Sequence, residues 1–504
     1  MASHRSNTFP EVRHFRILLL VIILAAALAR APMLDKFRFH PDETLFAALA
    51  RLILNGTDPL LARTHLLVDK PPLFYYTLAA GVGINWGAEL AARLPGFFAG
   101  VLSTALIARL TRLLWRDSWA GLAASLCYAL SPFAISFAPT AFADPLMVMW
   151  WLAALCAVLE DRWGLGGLMS GLALATKGNA LFLLPLVPLI GVLGIAHRKT
   201  SRHQLAAAGL RFAAGFLPVA LAWRLWDSAR GFTASSWAAG LVHNDPGRLA
   251  RSLEVPGRLA GWLNWLKYLA GGHILALVPV AVLVGVGVIR ARSLRERALA
   301  VALAAYGLAY FGLHWLVAFP IFDRYMLPLV PLAAVLAGSG IVRIGHMASH
   351  QLPGQAKYWQ AALLLASALA LLPGAAHAAR GDYPVGGDHG GMDGLEIIAA
   401  RLAAVPWGSV VYTDTLGWPL AYYTMDSGIY LAAFDNPTWL EQDLRVQQVG
   451  AVRRYLVMQA ALPQRDVLDA VDAAGCQLEM LLRTRDQLDR ATIDLYQITD
   501  CAAP

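Results

Sequence analysis

The chain has 504 residues, of which 58% are hydrophobic and 15% charged. Soluble domains carry about a quarter charged residues, so this composition excludes a disordered chain and an ordinary soluble enzyme. The formal net charge of +8 would suit nucleic acid or a membrane surface, and the apolar excess selects the membrane. Four cysteines are too few for a disulfide scaffold and lack zinc-ligand spacing.

In chain order, apolar runs of span type lie at 16–34, 91–111, 118–137, 145–159, 164–177, 179–196, 205–226, 263–289, 298–318, 325–342 and 358–375. That makes about eleven spans, with 11 to 13 as the range. Residues 164–196 would form one helix of roughly 50 Å, longer than a bilayer core of about 30 Å. A hairpin turn at Lys177-Gly178-Asn179 is therefore expected. Because Ala29-Arg30-Ala31 follows the first run, a cleaved signal peptide is its alternative reading.

Basic residues flank cytoplasmic ends of spans. Arg5, Arg13 and Arg16 place the N-terminus inside. Threading from there puts Arg112/Arg116, Arg162, Arg198/Lys199/Arg202, Arg290/Arg292/Arg295/Arg297 and Arg343/Lys357 inside as well. Outer loops then fall at 35–90 and 227–262, with the Lys177 turn and the Asp323-Arg324 turn on the same side. The apolar stretch 71–88 would invert every later loop if it crossed, so it is expected to be an interfacial helix.

From about 376 the composition changes. The first part, 1–375, carries +16 and the tail, 376–504, carries −8. The Gly-rich stretch 386–391 reads as a linker, and strand-like runs follow at 409–412, 429–434, 454–458, 477–482 and 492–498. Helical patterns at 437–448 and 463–474 lie between them, which predicts a small α/β domain. Cys476 and Cys501 bracket the last two strands. If those pair antiparallel, the thiols can meet, and an outer compartment permits a disulfide; two free thiols are the alternative.

The candidate chemistry collects on the outer side of this threading. Asp42 and Glu43 in His40-Pro41-Asp42-Glu43-Thr44 suit a helix start, where acids meet the helix dipole. They also sit just past a span, where a base for a lipid-borne substrate belongs. Asp69-Lys70-Pro71-Pro72 follows, with Tyr75 close by, and Asp69 and Tyr75 are expected to contact the acceptor. A lysine at headgroup level is a candidate phosphate ligand, and a snorkelling side chain is the alternative. Asp144 precedes Pro145 at a span mouth, as a helix cap or as a functional acid. Lys177 and Arg324-Tyr325 are cations and an aromatic on the side that the general bias depletes of cations, where an anionic phosphate would hold them. Trp237, His243, Asn244 and Arg248 in the 227–262 loop are acceptor-binding candidates, or interfacial residues of a linker.

His40-Pro41-Asp42-Glu43-Thr44, Asp69-Lys70-Pro71-Pro72-Leu73 and Ala92-Arg93-Leu94-Pro95, followed in order by Asp144, Thr176-Lys177-Gly178 and Arg324-Tyr325, resemble bacterial glycosyltransferase family 39 and its relatives. These include aminoarabinose transferases acting on lipid A and protein O-mannosyltransferases. The likeness covers roughly residues 1–345. It implies the type C glycosyltransferase fold and a polyprenyl-phosphate-sugar donor. By resemblance, Asp42 is the catalytic acid of the first outer loop, Lys70 and Arg324 with Tyr325 are donor-phosphate ligands, and Asp144 is the second acid. Glu43 and Asp69 are neighbouring carboxylates. One departure stands out: the lipid A enzymes follow Asp-Glu-Thr with Arg-Tyr, and this chain has Leu45-Phe46.

The expectation is a polytopic helical membrane protein at 1–375 with a periplasmic α/β domain at 376–504, in a bacterial inner membrane. It would transfer sugar from a polyprenyl-phosphate donor, such as undecaprenyl phosphate, to a lipid, glycan or protein hydroxyl. Asp42 would be the base, and Asp144 would position the acceptor or a divalent metal. No dense metal-ligand motif is present, so no cofactor is expected to be obligatory, and nucleic acid is not expected as a partner. A polysaccharide ligase or polymerase and a lipid or sugar transporter are the alternatives.

Overall fold

The structure is a computed structural model that describes residues 9–83, 88–195, 201–231, 235–244, 247–351, 356–446 and 452–501. Arg5, Arg198 and Lys199 lie outside the described residues, as do the side chains of Asn244 and Lys357. The chain forms two compact units. The first comprises Met1–Leu34, Asp58–Trp86 and Leu90–Gly386. The second comprises Asp35–Thr57, Gly87–Glu89 and Gly387–Pro504. The segment 35–57, expected as an outer loop of the membrane domain, thus packs with the tail, because its helix buries an apolar face there.

In the first unit, and among the described residues, six helices are long and apolar enough to cross a membrane. These are Arg13–Met33, Glu89–Trp115, Arg202–Ala229, Leu294–Leu316, Asp323–Ala348 and Tyr358–Ala379. A seventh is added if Val255–Leu269 and Ile274–Ile289, bent by 64°, form one broken span. The expected count was higher because several apolar runs are interrupted. The 118–137 run breaks at Ser131-Pro132 into Ser118–Ala129 and Pro132–Phe137. Pro132 starts the second helix, where its missing N–H costs nothing. The helix Pro72–Val82 has 11 residues. At 1.5 Å per residue it is too short to cross, in keeping with an interfacial reading. Asp323–Ala348 is the central helix, 94% buried over its apolar window, whereas Arg202–Ala229 is 6% buried and peripheral.

Two local devices fix the cleft described below. The helices Asp144–Leu159 and Trp163–Thr176 are joined by the tight turn Glu160–Arg162. An antiparallel hairpin brings the start of the first helix and the end of the second to the same level, so Asp144 and Lys177 meet. The second helix in turn crosses Arg202–Ala229 at glycines. A Cβ on Gly167 would lie 1.9 Å from Phe212 O, and one on Gly215 would lie 2.0 Å from Gly164 O. Only glycine permits that backbone approach, the packing device typical of membrane helices.

The second unit contains a five-stranded sheet of β1 (Val410–Thr413), β2 (Tyr430–Ala433), β3 (Arg454–Gln459), β4 (Gln477–Arg485) and β5 (Ala491–Thr499). Its order is β2-β1-β3-β5-β4. β1 runs parallel to β2 and β3, while β5 is antiparallel to β3 and β4. Alternate residues serve opposite cores, as a period of two requires. Tyr412, Leu456 and Met458 pack with Leu440, Leu444, Val467 and Val471 on one face. Val411, Tyr455 and Val457 pack with Leu395, Ile398, Leu416 and Leu420 on the other. The five strands match those read from the sequence. Gln477 pairs with Thr499 across β4 and β5, which brings the flanking Cys476 and Cys501 together in a disulfide.

The Gly-rich stretch expected as a linker contains the boundary between the two units, at Gly386 and Gly387. Gly386, Gly387 and Gly390 have φ of +74°, +78° and +93°, and Asp388 accepts hydrogen bonds from the Gly390 and Met392 N–H groups.

Candidate functional site

A cleft in the first unit gathers residues from four distant stretches of chain. Asp69, Lys70 and Pro71 come from the segment before the Pro72–Val82 helix. Lys177, Gly178 and Asn179 come from the turn that follows the Trp163–Thr176 helix. Trp223, Ser236, Trp237 and Gly240 come from the third stretch, and Phe319, Arg324 and Tyr325 from the fourth. Leu181, Phe182 and Leu241 complete an apolar wall. Among these lining residues three cations face one carboxylate, and counting Asp144 behind Lys177 still leaves a positive surplus.

Each cation is positioned differently. Lys177 is buried, and its Nζ donates to both carboxylate oxygens of Asp144, at 2.7 and 2.8 Å. The same ammonium stands 5.3 Å from the centre of the Tyr325 ring, and the Tyr325 hydroxyl is hydrogen-bonded to Asn179. Lys70 is ion-paired with Asp69, and its backbone N–H donates to the Tyr75 hydroxyl at 3.1 Å. Burial holds the Tyr75 hydroxyl protonated, well above its ordinary pKa. Arg324 stacks its guanidinium on Phe142 and Phe322, at 5.1 and 4.7 Å, while its N–H donates to Asp323 Oδ1 at 2.7 Å. Asp323 Oδ2 accepts from Gly386 N–H at 3.0 Å, which ties the Arg324 turn down. Lys177 lies within electrostatic reach of both Arg324 and Lys70. Like charges so close repel, and an anion between them relieves the repulsion.

The remaining wall is the helix Ser236–Asn244. Ser236 Oγ accepts from Trp223 Nε1 at 2.9 Å, and its N–H donates to Asp227 Oδ1 at 3.0 Å. Trp237 packs its ring 5.7 Å from that of Trp223. Gly240 passes so close to the Asp69 backbone that a Cβ there would lie 2.8 Å from Asp69 O.

The chain matches the family model for dolichyl-phosphate-mannose-protein mannosyltransferase over residues 69–226. It is 29% identical over 204 residues to the undecaprenyl phosphate-alpha-4-amino-4-deoxy-L-arabinose arabinosyl transferase of Pectobacterium carotovorum, covering 38% of this chain and 36% of that one. The chain therefore spans little more than a third of that curated relative. The crystal structure of ArnT from Cupriavidus metallidurans bound to undecaprenyl phosphate superposes with a TM-score of 0.63 at 15% identity, covering 98% of this chain and 99% of that one. The fold is that of a type C membrane glycosyltransferase. The oligosaccharyltransferase of Archaeoglobus fulgidus is similar as well, with a TM-score of 0.52 at 12% identity over 96% of this chain and 73% of that one. The resemblance carried by the sequence motifs is thus borne out.

Within this type C fold the structure brings Lys70, Lys177, Arg324, Tyr325 and Asp69 to one cleft, with Asp144 directly behind it. Asp42 and Glu43 belong to the second unit. Glu43 is fully buried, and its Oε2 accepts from His40 N–H at 2.9 Å while His40 Nδ1 accepts from Asp42 N–H at 3.1 Å. Glu43 therefore closes a capping box. Asp42 is half-buried at the first turn of Pro41–Leu54. Tyr75, expected to contact the acceptor, is a buried support for Lys70 and does not line the cleft. His243 is exposed and does not line it either. Sequence reasoning missed Asn179 as a partner of Tyr325, and Trp223 and Ser236 as wall residues. Asn179 carried a signal, its place in the predicted turn.

Proposed function

We propose that this chain is a glycosyltransferase that takes a sugar from a polyprenyl-phosphate donor, of the undecaprenyl kind, and passes it to an acceptor hydroxyl. The observation that carries this reading is the convergence of Lys70, Lys177, Arg324 and Tyr325 on one cleft that also has an apolar wall. A phosphate diester of a sugar and a prenol needs cations for its phosphate and hydrocarbon for its tail. The similarity to transferases whose names carry undecaprenyl phosphate supports the same donor.

In this reaction Asp42 takes the proton from the acceptor hydroxyl. The oxygen attacks the anomeric carbon, and the bond from that carbon to the phosphate oxygen breaks with inversion. The electron pair leaves on the lipid phosphate, whose added charge Lys70, Lys177 and Arg324 stabilise. Arg324 offers a planar fork for two phosphate oxygens, and the lysines act as point charges. Asp144 holds the Lys177 ammonium in place. Both oxygens of Asp144 are already engaged by that ammonium, which supports a reaction without an obligatory metal. The basic loops support a cytoplasmic N-terminus in a bacterial inner membrane, with the cleft and the C-terminal unit on the periplasmic side.

The test is a transfer assay on purified protein with labelled polyprenyl-phosphate sugars. Wild type is expected to release the lipid phosphate and label an acceptor, and Asp42→Asn to lose about 10³-fold or more in rate. Transfer by Asp42→Asn at the wild-type rate would remove Asp42 as the base. No release from any such donor would remove the reading itself.

A further inference from the structure

Three consecutive residues lead into the helix that bears Asp42, and each is gripped by a different part of the second unit. The Phe37 ring lies 5.7 Å from His389. Arg38 Nη1 pairs with Glu89 Oε2 at 3.1 Å, and the Arg38 N–H donates to Asp393. Phe39 is fully buried edge-on to Tyr422, with ring centres 5.4 Å apart, and its N–H donates to the Tyr423 hydroxyl. That hydroxyl in turn donates to Glu89 Oε1. Glu89 thus pairs its charge with Arg38 through one oxygen and accepts a hydrogen bond from Tyr423 on the other.

The far end of the same helix is held by the C-terminal end of the helix Gly417–Tyr423 and the residues just after it. Arg51 Nη2 donates to Asp426 Oδ2 at 2.7 Å and Nη1 to Tyr422 O at 3.4 Å, with the guanidinium 5.5 Å from the Tyr422 ring centre. Between these grips, Leu45, Phe46, Ala47, Ala48, Leu49 and Ala50 are buried. A capping box alone fixes a helix start locally. It does not require an ion pair with Glu89 and, from stretches more than 330 residues away, a tyrosine hydroxyl and two aromatic contacts.

We infer that the C-terminal unit is a brace for the Asp42 helix, with Tyr423, Glu89 and Arg38 as positioning residues for the base. This rests on the transfer reading for its catalytic part, and on the contacts alone for its structural part. A base misplaced by about 1 Å can cost on the order of 10²-fold in rate, so such a brace acts on kcat. Donor binding lies with Lys70, Lys177 and Arg324, so KM for donor is the parameter it leaves alone.

The test uses the full chain in detergent with two variants. Tyr423→Phe keeps the ring and removes only the hydroxyl. Asp426→Asn alters a side chain that is 80% exposed and releases Arg51 without touching a core. Two quantities are read in each: amide hydrogen exchange at 38–48, and the kcat and donor KM of transfer. In Tyr423→Phe, exchange at 38–48 is expected to rise about tenfold while β1 and β3 keep their protection, and kcat to fall about tenfold with donor KM within about twofold. Asp426→Asn should show the same pattern weakly, confined to the end of the helix near Arg51. Unchanged exchange at 38–48 in Tyr423→Phe overturns the brace, as does a donor KM that rises in step with the loss of kcat. Exchange does not depend on any reaction. If wild type transfers no sugar, the transfer reading fails by itself and the exchange result alone decides the brace.

Discussion

Lys177 Nζ donates to both oxygens of Asp144, at 2.7 and 2.8 Å, and both side chains are buried. A buried pair is costly to split, because the survivor keeps its desolvation penalty with no partner. Lys177→Met should therefore unfold at lower temperature, by about 3–5 kcal/mol of stability, and lose transfer activity. Adding Asp144→Asn should restore much of the stability and none of the activity. Thermal melts in detergent and turnover assays separate the two effects. If the double variant regains transfer, Lys177 serves the fold and not the phosphate.

Gly240 tests whether the Ser236–Asn244 helix shapes the donor cleft. In Gly240→Ala the new methyl would meet Asp69 O at 2.8 Å, a backbone atom that cannot swing away. The helix must back off from Asp69 and Lys70. Donor KM is expected to rise about tenfold with a smaller change in kcat. Titration with labelled donor measures it, and an unchanged KM would separate this helix from donor binding.

Asp388 gives the second unit a pH dependence. Burial pushes its carboxyl up to about 6, with nearby Asp393 and Glu43 adding to the rise, against hydrogen bonds from Met392 and Gly390. The folded pKa exceeds the unfolded one, so the folded state binds the proton more tightly. Stability is then greatest below about pH 4, falls as pH rises to about 6, and stays lower above that. The loss is about 1–3 kcal/mol, and Asp388→Asn should flatten this part of the profile. Urea unfolding between pH 4.5 and 7.5, comparing the two proteins, reads the difference. A variant with the wild-type slope would mean that another group titrates.

The Cys476–Cys501 bond closes a separation of 25 residues around β4 and β5. A loop of that length is worth about 3 kcal/mol in the chain-entropy view. Cys476→Ser should make β4 and β5 the first segments cleaved in pulse proteolysis under urea, with the membrane helices unaffected. Equal resistance of wild type and variant would show that the two cores of the sheet suffice without the bond.

The two halves of this protein differ in how openly the sequence speaks. Lys70, Lys177, Arg324 and Tyr325 were legible because they stand where apolar runs stop, beside Pro71, Gly178 and the Asp323 turn. A cation at such a place reads either as a snorkelling side chain or as the ligand of an anion. The five strands were legible as well, since both faces of the sheet are covered and its apolar residues run in short blocks. The number of full spans was not legible. Composition does not register that Pro132 splits one run, whereas the end of the helix Trp163–Thr176 falls where the turn at Lys177 was expected.

By itself, then, the sequence determined a membrane protein with a cluster of cations at the ends of apolar runs and an α/β tail, because hydropathy, charge sign and turn residues are local properties. Only the tertiary structure decided which residues hold which. It spent Glu43 on a helix cap, made Tyr75 a support for Lys70, and joined Tyr423 to Glu89 across 334 positions. Such pairings leave no mark at either end of the chain. They exist because packing buries an acid, a hydroxyl and a guanidinium together, and buried polar groups must find their partners wherever the fold provides them.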